Sequence, residues 1–259
     1  MNFFHAIILG VIEGITEFLP ISSTFHLILA SKFLGLKSDD FLKLFEVFIQ
    51  SGAILAIILL YLLEFKKNPS LIKKVLASFI PTAIIGFALR KTIKDIFFED
   101  TSLMLTASFL IGLLFIIVEI LIQKGRLKIN KSLAKLSLTQ AAIIGLFQAT
   151  AIIPGVSRSG ATILGLLLLG FNRPEAALYS FLLAVPTIFA ASGLDLISTP
   201  IATVTSGNHL SLLLIGFITA FIFAFISVRW LINYLKNHSL ILFGLYRLVL
   251  SPIIFLLIP

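Results

Sequence analysis

Two polar segments interrupt an otherwise apolar chain, and they decide how it folds. The first reads Gly10-Val-Ile-Glu-Gly-Ile-Thr-Glu-Phe-Leu-Pro-Ile-Ser-Ser-Thr-Phe-His26, and the second reads Gly145-Leu-Phe-Gln-Ala-Thr-Ala-Ile-Ile-Pro-Gly-Val-Ser-Arg-Ser-Gly-Ala-Thr162. They align without a gap at an offset of 145 − 10 = 135 residues, which pairs Ser22 with Ser157. Each consists of an apolar helix, a break containing proline, a serine-rich turn and a second apolar helix. This match indicates an internal repeat.

The composition around these segments is that of a membrane protein. Of the 259 residues, 59% are hydrophobic and 12% are charged, whereas about 25% of residues are charged in a typical soluble domain. A helix needs about 20 apolar residues to cross a bilayer. We therefore predict an all-α membrane protein with six transmembrane helices, at 41–63, 71–89, 102–122, 176–197, 211–232 and 239–258.

Four shorter apolar segments accompany the spans, at 3–19, 24–35, 138–152 and 160–171. Breaks at Pro20 and Pro154 divide them into two pairs, and each member is short for a bilayer crossing. We predict that each pair forms a re-entrant helical hairpin, which a bilayer tolerates only where protein or water satisfies the free backbone groups. Polar and charged groups at membrane depth are costly, so their presence in these hairpins indicates a functional site.

The repeat also predicts the architecture. A hairpin that returns to its own side, followed by three spanning helices, leaves the chain on the opposite side, so the second copy must be inverted. We predict one polytopic membrane domain with an inverted-topology repeat. Its parts are a first repeat at 1–122, a cytoplasmic connecting loop at 123–137 and a second, inverted repeat at 138–259.

The charges of the loops predict the orientation in the membrane. Loops and helix ends on one side contain Lys66, Lys67, Lys73, Lys74, Lys124, Arg126, Lys128, Lys131, Lys135, Arg173, Arg229 and Lys236. The other side contains Lys32, Lys37, Lys43, Arg90, Lys91 and Lys94. The side richer in Lys and Arg is assigned to the cytoplasm. Both termini then lie outside, the first hairpin enters from outside and the second enters from the cytoplasm.

The same charge distribution argues against a nucleic-acid partner. The net charge of +8 comes from short loops between helices, where basic residues meet anionic lipid head groups.

The N-terminus lacks a basic region and a small-residue cleavage site, so we expect no cleaved signal peptide. The absence of Cys excludes disulfides and thiol chemistry.

Two acidic residues of the first segment are candidate metal ligands. Glu13 and Glu17 stand four residues apart and project from one face of a helix. Two ionised carboxylates so placed repel each other and require a divalent cation, an arginine or one shared proton. The structural alternative is that each carboxylate accepts hydrogen bonds from exposed backbone groups of the broken helix.

The turn Ser157-Arg158-Ser159-Gly160 in the second segment is a candidate phosphate site. It directly precedes an apolar helix, whose free N–H groups and positive end favour an anion. The planar guanidinium of Arg158 can engage two phosphate oxygens at once. Ser157, Ser159 and Thr162 can donate hydrogen bonds to the same group.

Two structural alternatives stay open for this turn. Serine is a favoured helix N-cap, so the serines could serve the helix alone. A buried arginine needs an anionic partner. Glu13 or Glu17 would satisfy that need in a purely structural ion pair between the two halves.

The matching turn of the first segment contains Ser22, Ser23 and Thr24. A serine hydroxyl becomes a nucleophile when a base lies within reach, and His26 is the nearest candidate along the chain. Gln50, in the first predicted span, is a candidate hydrogen-bond donor to a substrate.

Two of these motifs resemble the undecaprenyl-diphosphate phosphatase family of the bacitracin-resistance type. They are Glu13-x-x-x-Glu17-Phe-Leu-Pro-Ile-Ser-Ser-Thr-x-His26 and Pro154-Gly-Val-Ser-Arg-Ser-Gly-Ala-Thr162. The similarity extends to Phe45-Glu-Val-Phe-Ile-Gln-Ser-Gly-Ala and to Ser180-Phe-Leu-Leu-Ala-Val-Pro186. Phe25 stands where the family usually has glycine, which narrows the turn before His26.

The resemblance implies hydrolysis of undecaprenyl diphosphate to undecaprenyl phosphate and inorganic phosphate. This reaction recycles the carrier lipid of bacterial cell-wall synthesis, confers bacitracin resistance and uses a divalent cation, Mg²⁺ or Ca²⁺. The partners would be the polyprenyl diphosphate and membrane lipids. The location would be the bacterial plasma (inner) membrane, with an active site that opens to the outer face.

Residues and resemblance together give a predicted site. We expect catalytic roles for Glu17, Ser23, His26 and Arg158, and metal ligation by Glu13 and Glu17. The predicted substrate-binding residues are Ser22, Thr24, Gln50, Ser157, Ser159, Gly160 and Thr162. In the predicted mechanism Ser23 or an activated water attacks the phosphate, and His26 or Glu17 handles the proton.

The alternative function is an inverted-repeat transporter or lipid flippase for an anionic substrate. Broken helices that meet at the bilayer midplane are typical of secondary transporters. Such a carrier would also need Glu13, Glu17 and Arg158. The abundant hydroxyl groups and His26 favour the phosphatase, because a carrier needs them less than phosphoryl transfer does.

Overall fold

A computed structural model describes the backbone of residues 1–92 and 101–257, with the side chains of all of these except 64–67, 90–92 and 257. The regular secondary structure of the described residues is helical, apart from one isolated bridge between Lys131 and Phe171, which confirms the all-α prediction. Its helices are α1 (Phe3–Thr16), α2 (Ser23–Phe33), α3 (Asp40–Lys67), α4 (Pro69–Thr92), α5 (Thr101–Gln123), α6 (Leu138–Ala149), α7 (Arg158–Leu168), α8 (Arg173–Ser198), α9 (Ile201–Thr205), α10 (His209–Asn237) and α11 (Ile241–Leu257). Two short 3₁₀ turns cover Leu133–Lys135 and Thr150–Ile152.

Five helices in the described ranges are long and apolar enough to cross a membrane: α3, α4, α5, α8 and α10. They coincide with the first five predicted spans, so the protein is a multi-pass membrane protein. The sixth predicted span, 239–258, corresponds to α11, which has 17 residues. A helix of that length extends about 26 Å at 1.5 Å per residue, just short of the hydrocarbon core of about 30 Å.

Each hairpin begins at a capped helix. The side chain of Asn2 accepts the backbone N–H of His5 at the start of α1. Ser137 and Gln140 form the equivalent reciprocal capping box at the start of α6. Such caps satisfy backbone donors that have no partner within the helix, and they fix where the first helix of each hairpin begins.

Proline sets the break in the first hairpin. A proline removes the hydrogen bond to the carbonyl four residues earlier, and its ring clashes with that carbonyl. Pro20 therefore ends α1 at Thr16, which lies four residues before it. In the second hairpin α6 ends at Ala149 and a 3₁₀ turn follows, ahead of Pro154. The two breaks free the polar residues between the helices to face inward.

Helices of the two halves pack against each other in exchanged pairs. Helix α1 packs on α10 and α6 packs on α4, while α3 contacts α8 and α5 contacts α11. Glycines allow the close approach of backbones at two of these contacts. A Cβ atom on Gly10 would lie 2.8 Å from the carbonyl oxygen of Gly216, and one on Gly145 would lie 2.1 Å from that of Ser78. Gly10 and Gly145 are partners in the repeat alignment.

Some of the residues that predict the orientation in the membrane are not described. Lys94 and the last residue of the span 239–258 lie outside the described residues, as do the side chains of Lys66, Lys67, Arg90 and Lys91. The orientation in the membrane therefore stays a prediction. The segment 198–210, which has no Lys or Arg, contains the short helix α9.

Candidate active site

Two serines enter the second helix of their hairpins in a conformation that residues other than glycine rarely adopt. Ser22 has φ of 72° and Ser157 has φ of 73°, and they are the only non-glycine residues with a positive φ in the described part of the chain. They are also the pair that the repeat aligns. Backbone strain of this kind costs on the order of 1–3 kcal/mol and concentrates at functional sites.

Glu17 joins the two hairpins. One of its carboxylate oxygens accepts a hydrogen bond from Nη2 of Arg158 at 2.8 Å, and the other accepts one from the hydroxyl of Ser23. Arg158 also donates from Nη1 to the backbone carbonyl of Ser180 at 3.0 Å, and its guanidinium lies 5.7 Å from the ring centre of Phe18. The ion pair considered as a structural alternative is therefore present, and it brings a carboxylate, a hydroxyl and a guanidinium together.

These groups line a cavity of about 200 Å³. Of the predicted site residues, it brings together Glu17, Ser22, Ser23, Thr24, Gln50, Ser157 and Arg158. The cavity thus contains one carboxylate, one guanidinium and several hydroxyl groups. This set suits an oxyanion with several acceptor oxygens, such as a phosphate group.

Three predicted substrate-binding residues instead stabilise the second hairpin. The hydroxyl of Ser159 donates to the carbonyl of Leu19 across the two hairpins at 2.9 Å. The N–H of Gly160 donates to Oγ of Ser157 at 3.2 Å, and the hydroxyl of Thr162 donates to the carbonyl four residues before it. The structure does not bring these three into the cavity lining, and their contact with substrate stays a prediction.

His26 also lies outside the cavity lining. Its Nδ1 lies 2.7 Å from the carbonyl of Ser22, and its Nε2 lies 2.7 Å from the hydroxyl of Tyr246 on α11. Both ring nitrogens therefore have partners, and the ring stacks on that of Tyr246. Phe25 beside it is fully buried. The side chain that accepts a hydrogen bond from Ser23 is the carboxylate of Glu17.

Comparison with known proteins identifies the family. The sequence profile described as bacitracin resistance protein BacA matches residues 6–253. This chain belongs to the BacA family. It is 45% identical over 251 residues to the undecaprenyl-diphosphatase of Aquifex aeolicus, which covers 97% of this chain and 96% of that protein. It is 46% identical over 256 residues to the undecaprenyl-diphosphatase of Wolinella succinogenes, which covers 99% of this chain and 98% of that protein.

The donor set fits the divalent cation that the BacA resemblance implies. Glu13 is fully buried and does not line the cavity, and among the described residues no donor group contacts its carboxylate oxygens. Its charged neighbours are Glu17, Arg158 and Glu46. The described residues contain no group of three or more His, Cys, Asp or Glu placed to hold a metal. Two carboxylates with further oxygens from phosphate and water match the usual coordination of Mg²⁺.

Sequence reasoning missed Arg247, a buried residue of α11. Its Nη2 donates to the carbonyls of Gly155 at 3.1 Å and Val156 at 3.2 Å, in the turn that leads into Ser157. Arg247 is 1% exposed. No local pattern marked it, because its partners lie about ninety residues earlier in the chain.

It also missed three polar residues of the cavity wall: Thr82, Gln148 and Thr187. The repeat alignment contained a signal for Gln148, because this residue pairs with Glu13 at the offset of 135. Thr82 and Thr187 stand singly in apolar spans, where threonine is common and unremarkable. Only the fold shows that all three face one cavity.

Proposed function

We propose that this chain hydrolyses undecaprenyl diphosphate to undecaprenyl phosphate and inorganic phosphate, and that the cavity between Glu17, Ser23 and Arg158 is its active site. Membership of the BacA family and similarity over nearly the whole chain to proteins named undecaprenyl-diphosphatase support the activity. The main support for this location of the active site is that the carboxylate of Glu17 contacts both the hydroxyl of Ser23 and the guanidinium of Arg158. This activity recycles the carrier lipid and confers bacitracin resistance.

Ser23 is the proposed nucleophile and Glu17 its base. The hydroxyl of Ser23 already donates to Glu17, so the proton can leave as Oγ attacks phosphorus. The Oγ–P bond forms, the bond from phosphorus to the lipid phosphate oxygen breaks, and the departing lipid phosphate takes the proton from Glu17. Water then attacks the phosphoseryl group and releases inorganic phosphate. His26 would act on this reaction only indirectly, because its Nδ1 contacts the carbonyl of Ser22, the residue before Ser23.

Arg158 stabilises the charge of the transferred phosphoryl group. It uses two of its five N–H groups on Ser180 and Glu17, and the others stay available for phosphate oxygens. The first N–H groups of α2 and α7 lack partners within their helices and add further donors. Donors held in place before the reaction stabilise the transition state without reorganisation.

A divalent cation, Mg²⁺ or Ca²⁺, is part of this proposal. Glu13 and Glu17 would hold it, because they are the two buried acids of the hairpin. When bound, such an ion neutralises negative charge on the phosphate oxygens. Gln50, Ser22 and Thr24 line the cavity and would donate hydrogen bonds to the substrate.

The proposed topology has six spanning helices and two re-entrant hairpins in an inverted repeat. The repeats are 1–122 and 138–259, joined by the cytoplasmic loop 123–137, with both termini and the cavity mouth on the outer face. The charge bias of the loops supports this orientation. The exchanged helix pairs support the repeat, since α1 on α10 and α6 on α4 are the same contact under exchange of the two halves.

Phosphate release from purified protein in detergent micelles tests the function. Micelles have no second compartment, so a carrier cannot produce a signal there. We expect inorganic phosphate to appear from undecaprenyl diphosphate with Mg²⁺ or Ca²⁺ present, and Ser23→Ala to abolish it. Folded wild-type protein that binds the lipid but releases no phosphate would contradict the proposal and leave a transporter or flippase.

A further inference from the structure

A second polar group lines the active-site cavity and takes no part in the proposed mechanism. It consists of Thr82 on α4, Gln148 on α6 and Thr187 on α8. The amide nitrogen of Gln148 donates to Oγ1 of Thr82 at 3.0 Å and to Oγ1 of Thr187 at 3.0 Å. Both hydrogens of the amide are therefore used.

The two threonines fix which way this amide points. The hydroxyl of Thr82 donates to the carbonyl of Gly145 at 2.8 Å, and the hydroxyl of Thr187 donates to the carbonyl of Leu183 at 2.8 Å. A hydroxyl has a single hydrogen, so each threonine oxygen can only accept from the amide. Rotating the amide by 180° would set oxygen against oxygen, which leaves Nε2 as the only atom that can face the threonines.

The amide oxygen of Gln148 is the atom left over. Gln148 is 1% exposed, and its Oε1 has no hydrogen-bond partner among the described residues. A buried acceptor without a donor costs about 1–3 kcal/mol. Strictly an acceptor, Oε1 repels ionised phosphate oxygens and requires an N–H or O–H donor. A water molecule in the cavity is the smallest donor that meets this need.

We propose that Gln148 holds the water that hydrolyses the phosphoryl group, a positioning role that rests on the proposed function. One O–H of the water donates to Oε1 of Gln148 and stays on the oxygen. The other proton goes to Glu17 as the water oxygen bonds to phosphorus and the bond from phosphorus to Oγ of Ser23 breaks. Glu17 then returns that proton to Ser23, to which it is already hydrogen-bonded, and hydrogen phosphate leaves.

The repeat gives this assignment a second line of support. Gln148 and Glu13 occupy equivalent positions at an offset of 135 residues, and both have side-chain oxygens that are buried without a partner. A carboxylate at the first position suits a cation. A neutral amide at the second adds no negative charge beside the phosphate, and so suits a neutral water.

Competition between water and methanol tests the role directly. Water has two O–H groups, one for the base and one for Gln148, whereas methanol has only the one that the base removes. Wild-type protein should therefore favour water, and Gln148→Met, which keeps the side-chain length but removes the acceptor, should lose that preference. The reaction is run with terminally labelled undecaprenyl diphosphate in dilute methanol. We expect the ratio of methyl phosphate to inorganic phosphate to be about fivefold higher for Gln148→Met than for wild-type protein, the effect of losing one hydrogen bond.

The matched control is Gln140→Met, the same substitution at the capped start of α6 and outside the cavity lining, which should leave the ratio unchanged. Loss of folded or active protein cannot change the ratio, because it lowers both products equally. If Gln148→Met does not fold, Thr187→Val frees one amide hydrogen and should raise the ratio in the same direction.

An unchanged ratio in an active variant would overturn the assignment while leaving the phosphatase activity standing. A KM for the lipid that rises more than tenfold in Gln148→Met, without a change in the ratio, would show instead that Gln148 contacts the substrate. Absence of both products from wild-type protein would contradict the proposed function itself.

Discussion

Arg158 combines an observed structural contact with a proposed role in phosphate binding. It ties the second hairpin to Glu17 and to the carbonyl of Ser180, and it lines the cavity where phosphate is proposed to bind. The ion pair is therefore part of the resting site, and substrate phosphate would share the same guanidinium. Substitution by lysine separates the two roles. The positive charge of lysine is enough to keep the ion pair with Glu17, whereas binding two phosphate oxygens requires the planar guanidinium.

Arg158→Lys should keep the fold and lose most of the activity. Lysine retains the charge that pairs with Glu17 but lacks the planar fork that engages two oxygens. We expect kcat to fall by about a hundredfold, with a smaller change in KM, measured as phosphate release in micelles. Near-normal kcat in a folded Arg158→Lys protein would mean that the arginine is a structural tie only.

Arg158→Ala should also lower stability. It leaves the buried carboxylate of Glu17 without its cationic partner, and breaking a buried pair from one side costs about 3–5 kcal/mol. Thermal unfolding in detergent should show a clear fall in Tm relative to Arg158→Lys. Equal Tm values for the two variants would contradict the structural part of the role.

Backbone strain at Ser22 can be measured with a pair of substitutions. Its side chain caps no helix N–H, so Ser22→Ala removes little and keeps the unfavourable φ of 72°. Glycine adopts that conformation freely, so Ser22→Gly should be more stable than Ser22→Ala by about 1 kcal/mol. Thermal unfolding of both variants is the measurement, and a less stable glycine variant would show that the turn is not strained.

The sequence predicted those residues of the candidate site that lie in two short motifs and missed those contributed by distant segments. Glu17, Ser23 and Arg158 were predicted because they lie in two short motifs whose polar residues are unusual at membrane depth. Gln148 and Arg247 bind partners that lie far from them along the chain. The alignment with Glu13 was the one sequence signal for Gln148, and no local pattern marked Arg247. His26 was predicted from its position along the chain; its ring contacts the Ser22 carbonyl and Tyr246, and its catalytic role stays a prediction.

At the scale of helices, glycine decides how closely the hairpins dock. Gly145 brings α6 against the backbone of α4, and a Cβ atom there would lie 2.1 Å from the carbonyl oxygen of Ser78. The same segment supplies Gln148 and the turn into Arg158. Any outward movement of α6 would therefore shift the cavity wall.

Gly145→Ala should destabilise the protein by about 1–3 kcal/mol, the usual cost of overpacking, and should lower kcat as well. Gly86→Ala is the matched control on α4, where a Cβ atom meets nothing within 4 Å. That control should be neutral or slightly stabilising, because alanine favours a helix. Thermal unfolding measures both, and equal stability of the two variants would contradict the close packing.

The spanning helices were predictable because hydropathy over about 20 residues is a strong signal. The observed helix ends differ from the predicted ones by up to five residues. For α10 the predicted range is 211–232 and the observed range is His209–Asn237. Capping residues and polar ends extend helices beyond the apolar core. The short helix α9 was not predicted, since its five residues give no periodic pattern.

At the scale of the molecule, the two halves exchange helices rather than fold side by side. Helix α1 packs on α10 of the other half and α6 packs on α4, so the cavity takes its walls from both. The alignment of the hairpins predicted that they meet. It could not predict which helices they pack on, because that depends on side-chain shapes across long sequence distances, 63 residues between Ser78 and Ala141 and 212 between Ile15 and Ser227.

Labelling with an impermeant maleimide tests the orientation in intact cells. The chain contains no Cys, so single substitutions give a clean signal. Ser206→Cys and Lys128→Cys both place the thiol at an exposed position. We expect Ser206→Cys to react from outside and Lys128→Cys to react only after the membrane is opened. The reverse pattern would move the cavity mouth to the cytoplasmic face.

The proposed mechanism requires that Ser23, activated by Glu17, takes the phosphoryl group from the lipid. Rapid acid quenching of the protein with terminally labelled undecaprenyl diphosphate detects such a phosphoseryl group, with Ser23→Ala as the control. We expect label on Ser23 within one turnover and before inorganic phosphate is released. Release of phosphate at the full rate with no label on Ser23 at any time would contradict it.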